Sequence, residues 1–152
     1  MPQLAEAFRP DVIVLQNGCD SHVLDPLTHL RCTTGLYEQL VSKVCEVADQ
    51  FCNGRIVATG GGGYAVYSVV PRAWSLVWAT LRGVAAPDAI PDEWLRELRI
   101  ESGSAVPVTL RDAPDVFPPA PRRASITETN DKTMRAVRQR VLPLLTGWGL
   151  AF

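Results

Sequence analysis

The chain has 152 residues, of which 47% are apolar and 20% are charged, and its formal net charge is -1. This length suits one globular domain with its own core and is too short for two ordinary domains. The near-neutral charge, with no long basic run at either end, gives no reason to expect nucleic acid or an anionic membrane as a partner.

No apolar run approaches the roughly 20 residues that a membrane-spanning helix needs. The residues from Met1 to Glu6 lack the basic start and apolar middle of a secretory signal, which predicts a cytoplasmic protein. The cysteine spacing matches no paired zinc motif. We therefore predict buried free thiols at Cys19, Cys32, Cys45 and Cys52.

The first part of the chain predicts a strand, a helix and a second strand. Residues 3–8 are typical of the last turns of a helix that Pro10 ends, and residues 11–15 predict a buried strand. A helix is then expected from a cap at Thr33 or Thr34 to a left-handed cap at Asn53-Gly54. Its apolar face is predicted to hold Leu36, Tyr37, Leu40, Val41, Val44, Val47, Ala48 and Phe51.

A second apolar strand, residues 55–59, follows this helix directly. Strand, helix and strand in this order form a βαβ unit, whose two strands are parallel neighbours in one sheet. We therefore predict an α/β protein built on a parallel sheet.

Four consecutive glycines, Gly60 to Gly63, follow the second strand and lead into Tyr64. Glycine loses the most backbone entropy on ordering, so such a run indicates close backbone approach or unusual dihedrals. A flexible turn is the alternative reading. Ligands of open α/β sheets bind beyond the carboxyl ends of the strands, which favours a site here.

The polar loop after the first strand carries Asp20, and parallel strands end at the same edge about 5 Å apart. The Asp20 carboxylate and the Tyr64 phenol are therefore predicted to share one site. The same loop also carries His22, Asp25 and His29, a mixture of groups that suits divalent metals. Spacing alone leaves the two histidines open as ligands or as groups that bond the local backbone.

The rest of the chain predicts helices and one long irregular segment. A helix is expected to begin near Pro71 and end at Gly83, with Trp74, Val77, Trp78 and Leu81 as its buried stripe. A short helix is expected over residues 91–98, and residues 100–121 are expected to form a surface or partly disordered loop.

Residues 126–145 predict an amphipathic helix against a core, with its apolar face formed by Met134, Val137, Val141, Leu144 and Leu145. The expected division of the chain is therefore a main unit over residues 1–99, a proline-rich loop over 100–125, and a helix with its tail over 126–152.

Three segments in order resemble the C-terminal half of the zinc-dependent histone deacetylase family, and within it the bacterial acetoin utilization branch. They are Gln16-Asn-Gly-Cys-Asp-Ser-His-Val-Leu-Asp-Pro-Leu-Thr-His-Leu30, Gly60-Gly-Gly-Gly-Tyr64 and Val70-Pro-Arg-Ala-Trp74. The resemblance spans roughly residues 5–83 and weakens through the proline-rich tail.

The resemblance implies an arginase/deacetylase-type three-layer α/β fold and hydrolysis of N-acetyl-lysine or a related acetylamine with one Zn2+. By this resemblance Asp20 is a zinc ligand and Tyr64 is a catalytic hydrogen-bond donor to the substrate carbonyl. Gly62 and Gly63 let the backbone approach the acetyl group. An acetylated protein or a small acetylamine is the expected substrate.

The family's other two zinc ligands, an Asp-x-His pair, and its tandem histidines precede the part that this chain resembles. One carboxylate cannot hold a catalytic zinc, which normally takes three protein ligands. We therefore expect a C-terminal fragment or truncated copy that lacks activity alone. Such a chain is expected to expose an apolar sheet edge for the missing half or for self-association.

Two other functions remain open from the sequence. One is a catalytically inactive interaction module that uses the exposed surface to pair with itself or with another chain. The other is a nucleotide-binding module, because Gly60, Gly62 and Ala65 fit the dinucleotide spacing after a strand. Against the second, Pro71 delays the helix that would hold a pyrophosphate.

Overall fold

A computed structural model describes residues 2–114, 117 and 121–148. Its elements in chain order are α1 (Pro2–Phe8), β1 (Ile13–Gln16), α2 (Thr34–Cys52), β2 (Ile56–Thr59), α3 (Val70–Leu81), α4 (Asp92–Ser102) and α5 (Arg123–Trp148). None of the helices in these ranges is long and apolar enough to cross a membrane.

The two strands form a parallel pair, which confirms the predicted βαβ unit. Ile13 pairs with Ile56, and the register continues to Gln16 opposite Thr59. Parallel strands need a long crossover connection, and α2 supplies it. Both strands therefore end at one edge of the sheet, and the loops that follow them begin side by side.

The main core lies between α2 and α3. Tyr37 and Val41 of α2 pack with Ala73 and Val77 of α3, and all four are at most 6% exposed. The predicted face of α2 is largely confirmed, but Leu36 and Leu40 are 39% and 44% exposed.

Thr33 is the N-cap residue of α2, although its hydroxyl makes no capping bond. At the other end, Asn53 takes the left-handed conformation with φ of 52° and its N–H bonds to the carbonyl of Ala48. The predicted left-handed C-cap of α2 is thus confirmed, and its turn delivers the chain directly into β2.

The predicted buried stripe of α3 is wrong for its tryptophans. Trp74 and Trp78 are 39% and 62% exposed. The residues that α3 buries are Arg72, Ala73, Leu76, Val77 and Ala79. The two indoles instead line an apolar cleft of about 660 Å3, between α3 and the segment that leads into α4.

The described segment after Ser102 is irregular, as expected of a loop, but it is bonded into the fold. The N–H of Ile90 donates to the carbonyl of Val108 at 3.0 Å, and the N–H of Leu110 donates to the carbonyl of Asp88 at 2.7 Å. Val106 is buried in a small second core. Residues 115, 116 and 118–120 of the expected loop lie outside the described residues.

The expected burial of the last helix is also wrong. Residues 123–140 of α5 are exposed throughout, and Met134, Val137 and Leu144 are 56%, 44% and 63% exposed. Its contacts are mainly with α1, where Val141 and Leu145 face a small apolar cleft. The amphipathic pattern therefore marks a helix without a core partner along most of its described length.

The cap of α2 provides a test of the path into β2. Replacing Asn53 with alanine should lower the free energy of unfolding by about 1 kcal/mol, because a Cβ without a local hydrogen bond disfavours the left-handed conformation. Replacing Asn53 with glycine should cost nothing or stabilise slightly. Urea denaturation of the two variants measures the difference, and equal stability of both would contradict the cap assignment.

Candidate functional site

The site is built from the two loops that leave β1 and β2 at the same edge. The N–H of Cys19 donates to the carbonyl of Gly62 at 2.6 Å, and the N–H of Asn17 donates to the carbonyl of Thr59 at 3.0 Å. The Asn17 side-chain amide also donates to Thr59 and to Leu15. The parallel ladder thus continues past the strands and joins the loop of Asp20 to the glycine run.

The glycines are required because the two loops touch. A Cβ on Gly61 would overlap the side-chain amide of Gln16 and come within 2.8 Å of the Gly18 Cα atom. A Cβ on Gly62 would overlap the carboxylate of Asp20 and lie 2.8 Å from its Cγ atom. The Asp20 carboxylate therefore occupies the space that a side chain at position 62 would fill.

Gly63 likewise leaves no room for a side chain, here because of core residues beside the loop. A Cβ there would lie 2.5 Å from Cys19 Sγ and 2.9 Å from a methyl group of Val70. None of the run Gly60–Gly63 has a positive φ. Close approach, and not a left-handed backbone, is thus the reason for the four glycines.

Trp74 holds both loops from the outside. Its Nε1–H donates to the carbonyl of Asn17 at 2.9 Å, and a Cβ on Gly60 would lie 3.2 Å from its ring. The hydrogen bond explains why this indole turns away from the core, where the helical pattern would have put it. Trp74 is therefore part of the frame of the site.

Asp20 and Tyr64 lie on these adjoining loops. The backbone carbonyl of Asp20 accepts from the Thr28 hydroxyl, while no donor to its carboxylate is present among the described residues. The Tyr64 side chain is 50% exposed, and its backbone N–H donates to Asp25 Oδ2 at 2.9 Å. Neither the Asp20 carboxylate nor the Tyr64 phenol makes a hydrogen bond to another described residue, so both side chains remain free on adjoining loops.

Asp25 connects the two loops. This buried carboxylate accepts from the N–H groups of Leu27, Thr28 and Tyr64. Burial by itself raises the pKa of Asp25, but these backbone donors outweigh it and hold the pKa below its usual range. With its oxygens occupied in this way, Asp25 fixes the backbone of Tyr64 and is not available to a metal.

The two histidines of this loop differ in whether their ring nitrogens are free to bind a metal. His22 is fully buried, its Nδ1 accepts from the N–H of Leu24 at 3.1 Å, and its Nε2 donates to Asp112 Oδ2 at 2.9 Å. Both nitrogens are therefore engaged, which excludes His22 as a ligand in this arrangement. His29 is exposed. Over residues 2–114, 117 and 121–148, no three His, Cys, Asp or Glu side chains are grouped to hold a metal.

Asp112 is the central residue of a buried polar cluster that sequence reasoning missed. Its Oδ2 accepts from His22 Nε2 and from the N–H of Thr34, at 2.9 and 2.8 Å, and its Oδ1 accepts from Arg72 Nη2 at 2.6 Å. Burial raises the pKa of Asp112, yet these donors outweigh it and place the pKa far below its usual range. Asp112 lies in a proline-rich segment without hydrophobic periodicity. The sequence there shows a single acid and no motif that would predict its role.

Cys19 is free and fully buried beside Asp20. Burial raises the pKa of its thiol to about 11, with the neighbouring Asp20 charge adding to the effect. The thiol is therefore protonated at neutral pH and packs as a small apolar group. All four cysteines are free, but only Cys19 and Cys52 are fully buried, so the prediction of buried thiols is confirmed for these two.

Comparison with known proteins relates this arrangement to one family. The family model described as the histone deacetylase domain matches residues 1–81. The acetoin utilization protein AcuC of Bacillus subtilis (strain 168) is 42% identical over 132 residues, which are 87% of this chain and 34% of that protein. Its counterpart from Staphylococcus xylosus is 37% identical and is covered to the same extent, 34%. The chain thus spans about a third of the length of these relatives.

Solved structures of the same kind are similar in fold. A histone deacetylase homologue from Aquifex aeolicus superposes with a TM-score of 0.60 at 25% identity, over 84% of this chain and 36% of that one. A homologue complexed with SAHA superposes with a TM-score of 0.63 at 26% identity, over 86% and 37%. The predicted deacetylase-type α/β fold is thereby confirmed.

The contact between the two loops can be tested at Gly61. Replacing Gly61 with alanine should destabilise the fold by about 1 to 3 kcal/mol, because its Cβ meets the backbone of Gly18. Gly35 is the matched control, since a Cβ there meets only a side-chain atom at 4.0 Å inside α2. Gly35→Ala should stabilise by up to about 1 kcal/mol. Equal shifts in thermal unfolding would rule out the packed loops.

Asp112 should make stability depend on acid pH. A lowered folded-state pKa contributes stability above the ordinary value of 3.8, and this contribution is lost as the pH falls below that value. Asp112→Asn should therefore be less stable than the parent chain by about 3 kcal/mol at neutral pH. The gap should be constant above about pH 5 and shrink below about pH 4. Urea unfolding at several pH values measures it; a gap that widens in acid would refute the assignment.

Proposed function

Because the chain belongs to the histone deacetylase family, we propose that it forms the C-terminal part of a zinc-dependent amidohydrolase. The reaction proposed is removal of the acetyl group from N-acetyl-lysine or from a related small acetylamine. The observation that carries the proposal is the shared sheet edge, where the Asp20 carboxylate lies against Gly62 and Tyr64 follows in the same loop.

Asp20 fits the role of one zinc ligand. Zn2+ binds carboxylate oxygen, and among the described residues nothing donates to this carboxylate. A catalytic zinc takes three protein ligands, and the described residues offer no cluster of that size. When bound, zinc supplies Lewis acidity and lowers the pKa of a bound water. The proposal therefore assigns one ligand to this chain and the remaining ligands to the missing part of the domain.

Tyr64 fits the role of the catalytic hydrogen-bond donor. Tyr64 is 50% exposed, while its backbone is fixed through the N–H bond to the buried Asp25 carboxylate. A fixed donor aimed at the acetyl carbonyl stabilises the negative charge that develops on that oxygen in the transition state. The family resemblance also assigns Gly62 and Gly63 to substrate binding, although their Cβ positions face the Asp20 carboxylate and Cys19 Sγ and not open space.

The incompleteness of the chain alone is part of the proposal. Parallel sheets are normally covered on both faces, whereas Val14 and Val57 of this two-stranded sheet are 71% and 51% exposed. We assign this surface to the remaining part of a deacetylase domain. A cytoplasmic location is also proposed, because free cysteines are usual in reducing compartments.

The exposed sheet also favours a second candidate, a catalytically inactive module that pairs with itself or another chain. The two candidates differ in whether Asp20 and Tyr64 take part in amide hydrolysis. The nucleotide-binding alternative has less support, because α3 begins at Val70 and the glycine run does not lead into its N-terminus.

Complementation tests the proposed reaction. The chain mixed with the N-terminal part of a related deacetylase should hydrolyse an acetyl-lysine peptide in a zinc-dependent way. Tyr64→Phe should lower the rate by about 100- to 1000-fold, because it removes one donor to the developing charge. Tyr67→Phe is the control, since that tyrosine is 40% exposed on the same segment and should retain full activity.

The possible outcomes separate the candidates. Full activity in the Tyr64→Phe complex would exclude Tyr64 from the reaction. A stable complex that never hydrolyses the peptide, with bound zinc confirmed by metal analysis, would favour the inactive interaction module. Hydrolysis that survives full removal of zinc would refute the metal-dependent mechanism.

A further inference from the structure

We infer that His22 and Asp112 are positioning residues that fix the loop carrying Asp20. The inference rests on the proposed function for its consequence, the aim of the Asp20 carboxylate. It goes beyond that function because both side chains are buried and neither is assigned to zinc or substrate. Its basis is the buried cluster that ties this loop to three distant parts of the chain.

The loop needs such a tie because it has no regular secondary structure. Residues 17–33 between β1 and α2 contain only turns and an isolated bridge between His22 and Cys32. The N–H of Val23 donates to the carbonyl of Cys32 at 2.9 Å, and the N–H of Cys32 donates to the carbonyl of Ser21 at 3.1 Å. These two bonds join the loop to itself and do not fix it to the body of the domain.

His22 makes such a connection near the middle of the loop, in addition to the bonds that Cys19 and Asp25 make to the glycine run and its flank. It is the one side chain of the loop that is fully buried and bonded through both ring nitrogens among the described residues. Because Nδ1 accepts from the N–H of Leu24, Nε2 carries the proton and donates to Asp112. The ring therefore has a single orientation, and the backbone two residues after Asp20 follows it.

Asp112 is held firmly enough to serve as the anchor. Its side chain is 6% exposed, and its own N–H donates to the Thr34 hydroxyl at 2.8 Å at the start of α2. Arg72, which is 3% exposed on its side chain, pairs with Asp112 and also donates to the carbonyls of Thr109 and Ser68. The first turns of α2 and α3 thus hold the carboxylate that holds His22.

A second pair fixes the same segment without touching the loop of Asp20. Arg111 forms a two-pronged pair with Glu38 of α2, at 2.8 and 2.7 Å. Both side chains are partly exposed. Removing this pair costs stability but leaves the bonds of Asp112 to His22, Thr34 and Arg72 in place, which makes Arg111→Gln a matched control for loss of stability alone.

The first experiment measures amide hydrogen exchange on the full chain, with no metal or substrate. His22→Leu should raise exchange at the N–H groups of Cys19 and Val23 by about tenfold or more, because a bond to a charged group is lost. His22→Gln retains an N–H that reaches Asp112 and should restore most of the protection. Arg111→Gln should leave both amides as in the parent chain.

The contrary results are equally definite. Unchanged exchange at Cys19 and Val23 in His22→Leu would overturn the inference. An increase of the same size in Arg111→Gln, or no rescue by His22→Gln, would reduce the cluster to general stabilisation. Exchange in the middle of α2, at Val44, reports global unfolding and shows whether each variant remains folded.

The second experiment measures Zn2+ affinity by chelator competition in the complemented protein. His22→Leu should weaken binding by about 10- to 100-fold, as expected when the support of a metal ligand is removed, and Arg111→Gln should not. If the parent complex binds no zinc, the proposed function fails while the exchange result still decides the positioning role. If zinc affinity is unchanged although exchange has increased, the loop is fixed by the cluster but Asp20 does not depend on it.

Discussion

The contact between the loops that follow β1 and β2 is the constraint on which the rest of the site depends. One backbone bond, from Cys19 to Gly62, brings the loops so close that side chains are excluded from positions 61 to 63. The carboxylate of Asp20 fills the space that results. Parallel pairing makes this contact possible because both strands end at the same edge of the sheet.

Around this contact, hydrogen bonds from polar atoms of side chains hold the parts of the chain that have no regular structure. Asp25 joins the first loop to the backbone of Tyr64, Trp74 joins both loops to α3, and Asp112 joins the first loop to the helices. The two buried carboxylates, Asp25 and Asp112, each accept several hydrogen bonds, as buried polar groups must to avoid the cost of desolvation. Asp20 and Tyr64, whose side chains make no hydrogen bond to another described residue, are the two groups with a chemical role in the proposed reaction.

Much of this could be predicted from the sequence because it depends on local patterns. The helical period of α2, the apolar runs of the two strands and the Asn53-Gly54 cap each report on neighbouring residues. From these the parallel pair and the meeting of two loops follow by geometry. The helical pattern predicted burial of Trp74 and of the apolar face of α5, and both are exposed. Periodicity shows only which residues share a face of a helix, whereas burial depends on what packs against that face.

The sequence by itself determined the βαβ unit, the shared edge and the need for bare backbone after β2, since strand direction and glycine entropy leave few alternatives. Only the tertiary structure decided which acids and histidines remain free. In the sequence Asp20, His22 and Asp25 all belong to a mixture of groups that suits a metal, and hydrogen bonds formed in the folded chain engage His22 and Asp25. The pairing of His22 with Asp112 crosses 90 positions, and hydrogen bonds at that range arise only when the chain has folded.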